Sequence, residues 1–200
     1  INIANSSEDK IIAEIIKWKK LKSQDSKKNF YEIQDFIKSH PNWPNQETLK
    51  LRVEDNINQI AENEKIFYFA QNKPLTTNGK FNYIEALINQ NKDNIKYVVQ
   101  ETWINSNFEP NDEAKFLNRY TSYLTEEDHH HKIKKLIWDE NFTQLERIIN
   151  YVKDNNYKNF YNSILLLSKE PKIDLDKINN FIPEPFINDP YILYSKAKYL

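Results

Sequence analysis

Three consecutive histidines at 129–131 are the first side chains in this sequence that could bind a metal or transfer a proton. Neighbouring residues on a helix point about 100° apart, so three in a row cannot converge on one ion. A helical metal site needs ligands at i and i+4, and here those positions hold Ile133, Lys134 and Lys135. We therefore expect a solvated helix start with one histidine packed or hydrogen-bonded, and we assign no metal-ligating residue.

Neighbouring carboxylates are the second candidate for chemistry. Glycosidic cleavage can use two carboxylates that face one sugar across a cleft. Neighbours at a helix start instead more often balance the positive end of the helix dipole. No serine lies in a strand–turn–helix elbow either. We assign no catalytic residue within the chain, and the carboxylate pairs are Asp112 with Glu113, Glu126 with Glu127, and Asp139 with Glu140.

The composition excludes several classes of function. The chain has 200 residues, and its 28 basic and 29 acidic residues nearly balance, which argues against nucleic-acid binding by phosphate neutralisation. There is no cysteine, so disulfides and thiolate metal sites are excluded. Gly79 is the single glycine, which makes a phosphate-binding loop improbable, and we expect no cofactor. No run of about 18 apolar residues predicts a membrane span.

The elements that must position any site are predicted to be short helices. All eight prolines lie where the helical period of apolar residues breaks, because proline inside a helix costs about 3 kcal/mol. Asn45 and either Thr76 or Thr77 are predicted N-caps, and Thr125 with Asp128 is close to a capping box. The first apolar stripe contains Ile11, Ile12, Ile15 and Ile16.

These features predict an all-α fold: an irregular right-handed α-superhelix, or TPR-like solenoid, of about 11–12 short antiparallel helices. Residues 1–200 are expected to form a single superhelical domain. One further helix is predicted across residues 173–181, and another after Asp189.

The four tryptophans have two interpretations. Packing in the core or between helix pairs is the expected role of Trp18, Trp43, Trp103 and Trp138, with Trp43 docked on the helix before it. The alternative is a surface on which sugar rings stack.

Three segments carry a resemblance to a known family: HPNWPN at 40–45, KPLTTNGKFNYIEAL at 73–87, and residues 101–142. Over roughly residues 30 to 155, with an echo at 188–200, the chain resembles the N-terminal superhelical region of soluble lytic murein transglycosylases. The family pattern Leu-Thr-x-Glu-Asp-His is similar to residues 124–129, and Lys132 stands where an arginine is more usual. We interpret Asp128, His129 and Lys132 as residues that tie neighbouring helices together.

The resemblance implies a function. Such bacterial enzymes cleave the bond between N-acetylmuramic acid and N-acetylglucosamine to 1,6-anhydro products in cell-wall turnover, without metal or cofactor. Their catalytic glutamate lies in a Glu-Ser pair of a glycine-rich C-terminal domain, and this chain has no Glu-Ser pair. The resemblance therefore implies a non-catalytic, periplasmic scaffold from the N-terminal part of a longer chain. Its expected partners are peptidoglycan glycan strands and its own catalytic domain.

A second hypothesis has no connection to the cell wall. A TPR-like adaptor that binds a peptide in its groove would share the same fold. An enzyme contained within these 200 residues is the weakest hypothesis, because no convergent acid, base or nucleophile can be assembled.

Overall fold

A computed structural model describes residues 10–24, 29–169 and 181–197. These residues form eleven α-helices and no strand, so the predicted all-α fold is confirmed. The helices are α1 (Lys10–Lys22), α2 (Phe30–Ser39), α3 (Gln46–Asp55), α4 (Glu62–Gln71), α5 (Thr77–Asn89), α6 (Ile95–Asn105), α7 (Pro110–Tyr120), α8 (Glu126–Trp138), α9 (Phe142–Ile148), α10 (Asn155–Lys169) and α11 (Pro190–Ala197). Short 3₁₀ turns occupy Ile57–Gln59, Thr121–Tyr123, Ile149–Tyr151 and Glu184–Phe186. The helix predicted at 173–181 falls on residues outside the described part, except for Phe181, which lies in a turn.

Helix boundaries follow the prolines and caps that the sequence predicts. Pro110 and Pro190 are the first residues of α7 and α11, where the missing N–H costs nothing. Thr76 caps α5, with its hydroxyl oxygen accepting from the Gly79 N–H at 2.9 Å. Asn45 does precede α3, but its backbone is left-handed (φ 61°) and its side chain makes no capping hydrogen bond. Its amide oxygen accepts from Lys22 Nζ instead, at 3.2 Å.

Internal packing divides the chain into a first unit, Ile1–Ile95, and a second unit, Lys96–Leu200. Whether the two belong to a single domain, and the hand of any superhelix, stay predictions. No helix in the described part of either unit is long and apolar enough to cross a lipid bilayer.

In the first unit, α3 packs against α1, α2 and α5, and α4 packs against α5. In stacked helix pairs, a helix typically contacts the helix that follows it in the chain and the one after that. The core of this unit includes Leu21, Ile33, Phe36, Leu49, Val53 and Ile57.

The apolar stripe predicted at the start of α1 does not enter that core. The helix that this stripe predicts is present as α1, although Ile11, Ile12 and Ile15 are exposed. The face of α1 that meets the core is defined further along the helix, where Leu21 is fully buried and Trp18 packs against the cluster.

In the second unit, α9 packs against α8 and α10, and α10 packs against α11. Its interior includes Trp103, Phe116, Tyr120, Ile133, Leu136 and Ile148.

Candidate functional site

The motif residues of α8 hold helices of the second unit together, as the sequence analysis interpreted. Asp128 reaches back to the N–H and hydroxyl of Thr125, both at 2.7 Å, and accepts from Gln100 of α6 at 2.9 Å. Lys132 is fully buried, donates to the Ser106 carbonyl, and lies 5.8 Å from the centre of the Trp103 ring. Lys132 therefore binds a backbone carbonyl, whereas an arginine at this position could form a bidentate ion pair with a carboxylate.

The charge state of Asp128 follows from these contacts. Burial pushes the pKa of its carboxyl upward, but the hydrogen bonds from Thr125 and Gln100 outweigh burial and leave the pKa below its usual value. Asp128 is therefore an ionised structural group at neutral pH.

The three histidines contact different neighbours. His129 packs edge-on against Trp103 and stacks on Tyr151. Burial lowers its pKa, although Asp128 and Glu126 oppose the shift. The Nδ1 atom of His130 lies 2.9 Å from the Tyr161 hydroxyl. Among the residues that the structure describes, no three or more side chains of metal-ligating type are grouped around one point.

The other histidine and two of the candidate carboxylates make local contacts. His131 is exposed beside Glu127, with its Nε2 atom 3.2 Å from the carboxylate. Glu126 accepts from the backbone N–H groups of Lys153 and Asp154 at 2.9 and 3.2 Å, which lowers its pKa. These groups fix the ends of helices and do not face one another across a cleft.

Glu113 is the buried member of its carboxylate pair. Arg147 donates to it twice, through Nε at 3.1 Å and Nη2 at 3.0 Å, and Gln144 donates through Nε2 at 3.0 Å. Asp112 instead pairs loosely with Lys115 on the surface. Asp112 and Glu113 therefore face different surroundings.

Three of the four tryptophans pack against other residues, and the fourth does not. Trp103 is fully buried, and Trp18 and Trp43 contact each other edge-to-face at 6.2 Å. Trp43 also packs against Phe36 of the preceding helix, as predicted. Trp138 is 86% exposed, so core packing is wrong for this residue.

In the first unit, the segment 73–87 owes its shape to a buried glutamate. Glu54 of α3 is 1% exposed and accepts from the N–H groups of Leu75 and Thr76, both at 2.7 Å, and from the Thr76 hydroxyl at 2.6 Å. A Cβ atom on Gly79 would lie 2.3 Å from the Glu54 carboxylate. Glycine is therefore required here by the close approach of α5 to Glu54, and not by any unusual backbone angle.

A groove of about 580 Å³ lies between α2 and α4 of the same unit, and this volume is typical of ligand sites. Buried Val53 and Ile60 contribute apolar surface. Tyr31 on α2 and Phe67 on α4 are exposed, by 47% and 68%. The groove also presents four amide side chains, Gln34, Asn63, Gln71 and Asn72.

Two tyrosines of the groove are held in a defined state. The Tyr31 hydroxyl donates to Glu64 at 2.7 Å, and Glu64 also accepts from the Ala61 N–H at 3.1 Å. The hydrogen bond from Tyr31 lowers the pKa of Glu64, and the same bond raises the pKa of Tyr31. Burial raises the pKa of Tyr68 to about 12, with a smaller contribution from Glu54. Both rings therefore stay neutral at physiological pH.

No motif in the sequence points to this groove. Tyr31 follows a buried residue on α2, and Phe67 precedes one on α4. The signal that could have found them is their position beside, and not on, the apolar stripe of each helix.

The fold and the groove define an all-helical protein with a ligand-sized cleft that combines aromatic and amide groups. No protein-family model, curated protein or solved structure matches the chain. The resemblance to lytic transglycosylases therefore depends on the motifs quoted above.

Proposed function

We propose that this chain is a non-catalytic helical scaffold that binds a peptidoglycan glycan strand, as the superhelical part of a periplasmic lytic transglycosylase. The groove between α2 and α4 is its binding site. The resemblance of the three motifs supports the class of protein, and the groove supports the kind of ligand.

One observation carries the choice of ligand: two exposed rings, Tyr31 and Phe67, come from different helices and line the same groove as four amide side chains. The C–H face of a sugar can pack on an aromatic ring, while its hydroxyl and N-acetyl groups can exchange hydrogen bonds with amides. A ligand that covers a mostly exposed aromatic ring removes a large apolar surface from water, which favours binding.

The amide side chains also favour a second candidate. Gln34, Asn63 and Gln71 offer both donors and acceptors, which is the pattern that an extended peptide backbone needs. A peptide adaptor therefore competes with the glycan proposal for the same groove.

The test is calorimetric titration of the full chain with soluble glycan strands and, separately, with a mixture of extended peptides. We expect binding of the glycan, weakened about tenfold by Phe67→Ala, because an exposed anchoring ring is worth roughly 1.4 kcal/mol. The matched control is Trp138→Ala, which removes an exposed ring in the second unit and should leave the affinity unchanged.

Absence of glycan binding, or equal weakening by the two alanine variants, would reject the proposal. Peptide binding that depends on Phe67 would establish the adaptor instead. Release of 1,6-anhydro products by the purified chain would contradict the non-catalytic role.

A further inference from the structure

The groove is lined by more positively than negatively charged side chains. Lys38, Lys50 and Glu64 are the charged side chains that line it. Glu64 is already engaged, since it accepts from the Tyr31 hydroxyl and the Ala61 N–H. Lys38 and Lys50 make no hydrogen bond or ion pair with any residue that the structure describes.

Lys38 lies away from one of the exposed rings. Tyr31 is in the first turn of α2 and Lys38 is in its last turn, which corresponds to about 10 Å along the helix axis. Lys50 reaches the groove from α3 and is half-buried. The α2 side of the groove therefore presents an aromatic ring near one end and a cation near the other.

We propose that the groove recognises an anionic amino-sugar strand, in which a carboxylate contacts Lys38 and Lys50 while a sugar face covers Tyr31 and Phe67. This inference rests on the proposed glycan-binding function and adds the charge of the ligand. Charge complementarity is its basis, because the groove carries two lysines against one carboxylate and the lysines have no partner among the described residues.

The size of the expected effect follows from exposure. Lys38 is exposed and Lys50 is half-buried, so each pair with a ligand carboxylate is weak and screened by salt. We expect each single Lys→Gln variant to weaken binding roughly threefold and the double variant about tenfold.

The experiment titrates the full chain with three probes: glycan strands with free carboxylates, the same strands with those carboxylates amidated, and a neutral N-acetylglucosamine hexamer. Each titration is run at low and at high NaCl. Lys38→Gln/Lys50→Gln is compared with Lys73→Gln/Lys92→Gln, which makes the same change in net charge at exposed positions outside the groove.

Preferential binding of the carboxylate strands, lost in the groove variant and in high salt but retained in the control, would support the proposal. Equal binding of the neutral probes, with Phe67→Ala still harmful, would overturn the charge inference and leave glycan binding intact. If Phe67→Ala affects no glycan, the proposed function itself fails. If an acidic peptide binds through both lysines while no glycan binds, the groove belongs to a peptide partner and both proposals are wrong.

Discussion

Among the residues that the structure describes, each unit buries one glutamate, Glu54 in the first and Glu113 in the second, and surrounds it with a different kind of donor. Glu54 is held by two backbone N–H groups and a hydroxyl, all uncharged. Glu113 is held by the guanidinium of Arg147 and the amide of Gln144. Both carboxylates are 3% exposed or less, so each must find donors within the protein.

The difference shows how each unit joins its helices. In the first unit the link before α5 wraps its own backbone around a side chain of α3, so the shape of the link is fixed locally. In the second unit, side chains of α9 hold the carboxylate of Glu113 on α7, and Arg147 also donates to the Phe108 carbonyl in the link before α7.

The largest effect is expected for Glu113→Ala. Removing the carboxylate leaves Arg147 partly buried without its counter-ion, so the free energy of unfolding should fall by about 3 kcal/mol in denaturant titration. Glu109→Ala, at an exposed position at the start of the same helix, should change it by no more than about 0.5 kcal/mol. A loss below about 1 kcal/mol for Glu113→Ala would show that this ion pair behaves as a surface pair.

A smaller loss of stability is expected for Gly79→Ala, although this substitution usually stabilises a helix. Glycine to alanine within a helix ordinarily stabilises by about 1 kcal/mol. Here the new Cβ would lie 2.3 Å from the Glu54 carboxylate, whose three hydrogen bonds prevent it from moving away. We expect a loss of about 2 kcal/mol, whereas Asn89→Ala at the exposed end of α5 should be neutral or slightly stabilising. A stabilised Gly79→Ala variant would mean that Glu54 can move aside.

The sequence predicted the local features of both units because their causes are local. Prolines and caps set helix ends through groups within four residues, so the starts of α5, α7 and α8 followed from Thr76, Pro110 and Thr125. Likewise, the three histidines occupy consecutive helical positions, which predicted that their side chains would point in different directions.

Features that depend on which helices meet could not be predicted. Glu54 and its donors are 21 and 22 residues apart, and Tyr31 and Glu64 are 33 apart. Exposure of Trp138, and of Phe67 beside the groove, likewise depends on packing between helices. Periodicity gives the apolar face of a helix but not which neighbour covers it.

The smallest effect concerns pH and a histidine that packs between helices of the second unit. His129 lies in the second unit between Trp103 and Tyr151, and burial lowers its pKa. The unfolded chain therefore binds a proton near pH 6.5 that the folded chain resists, so stability should decline as pH falls from 7 to 5. His129→Phe keeps an aromatic ring in that position but cannot be protonated, so its free energy of unfolding should decline less over this window. Trp138→Phe, an exposed change in the same helix, should follow the unmodified chain. Parallel profiles for all three proteins would contradict this role of His129 in the second unit.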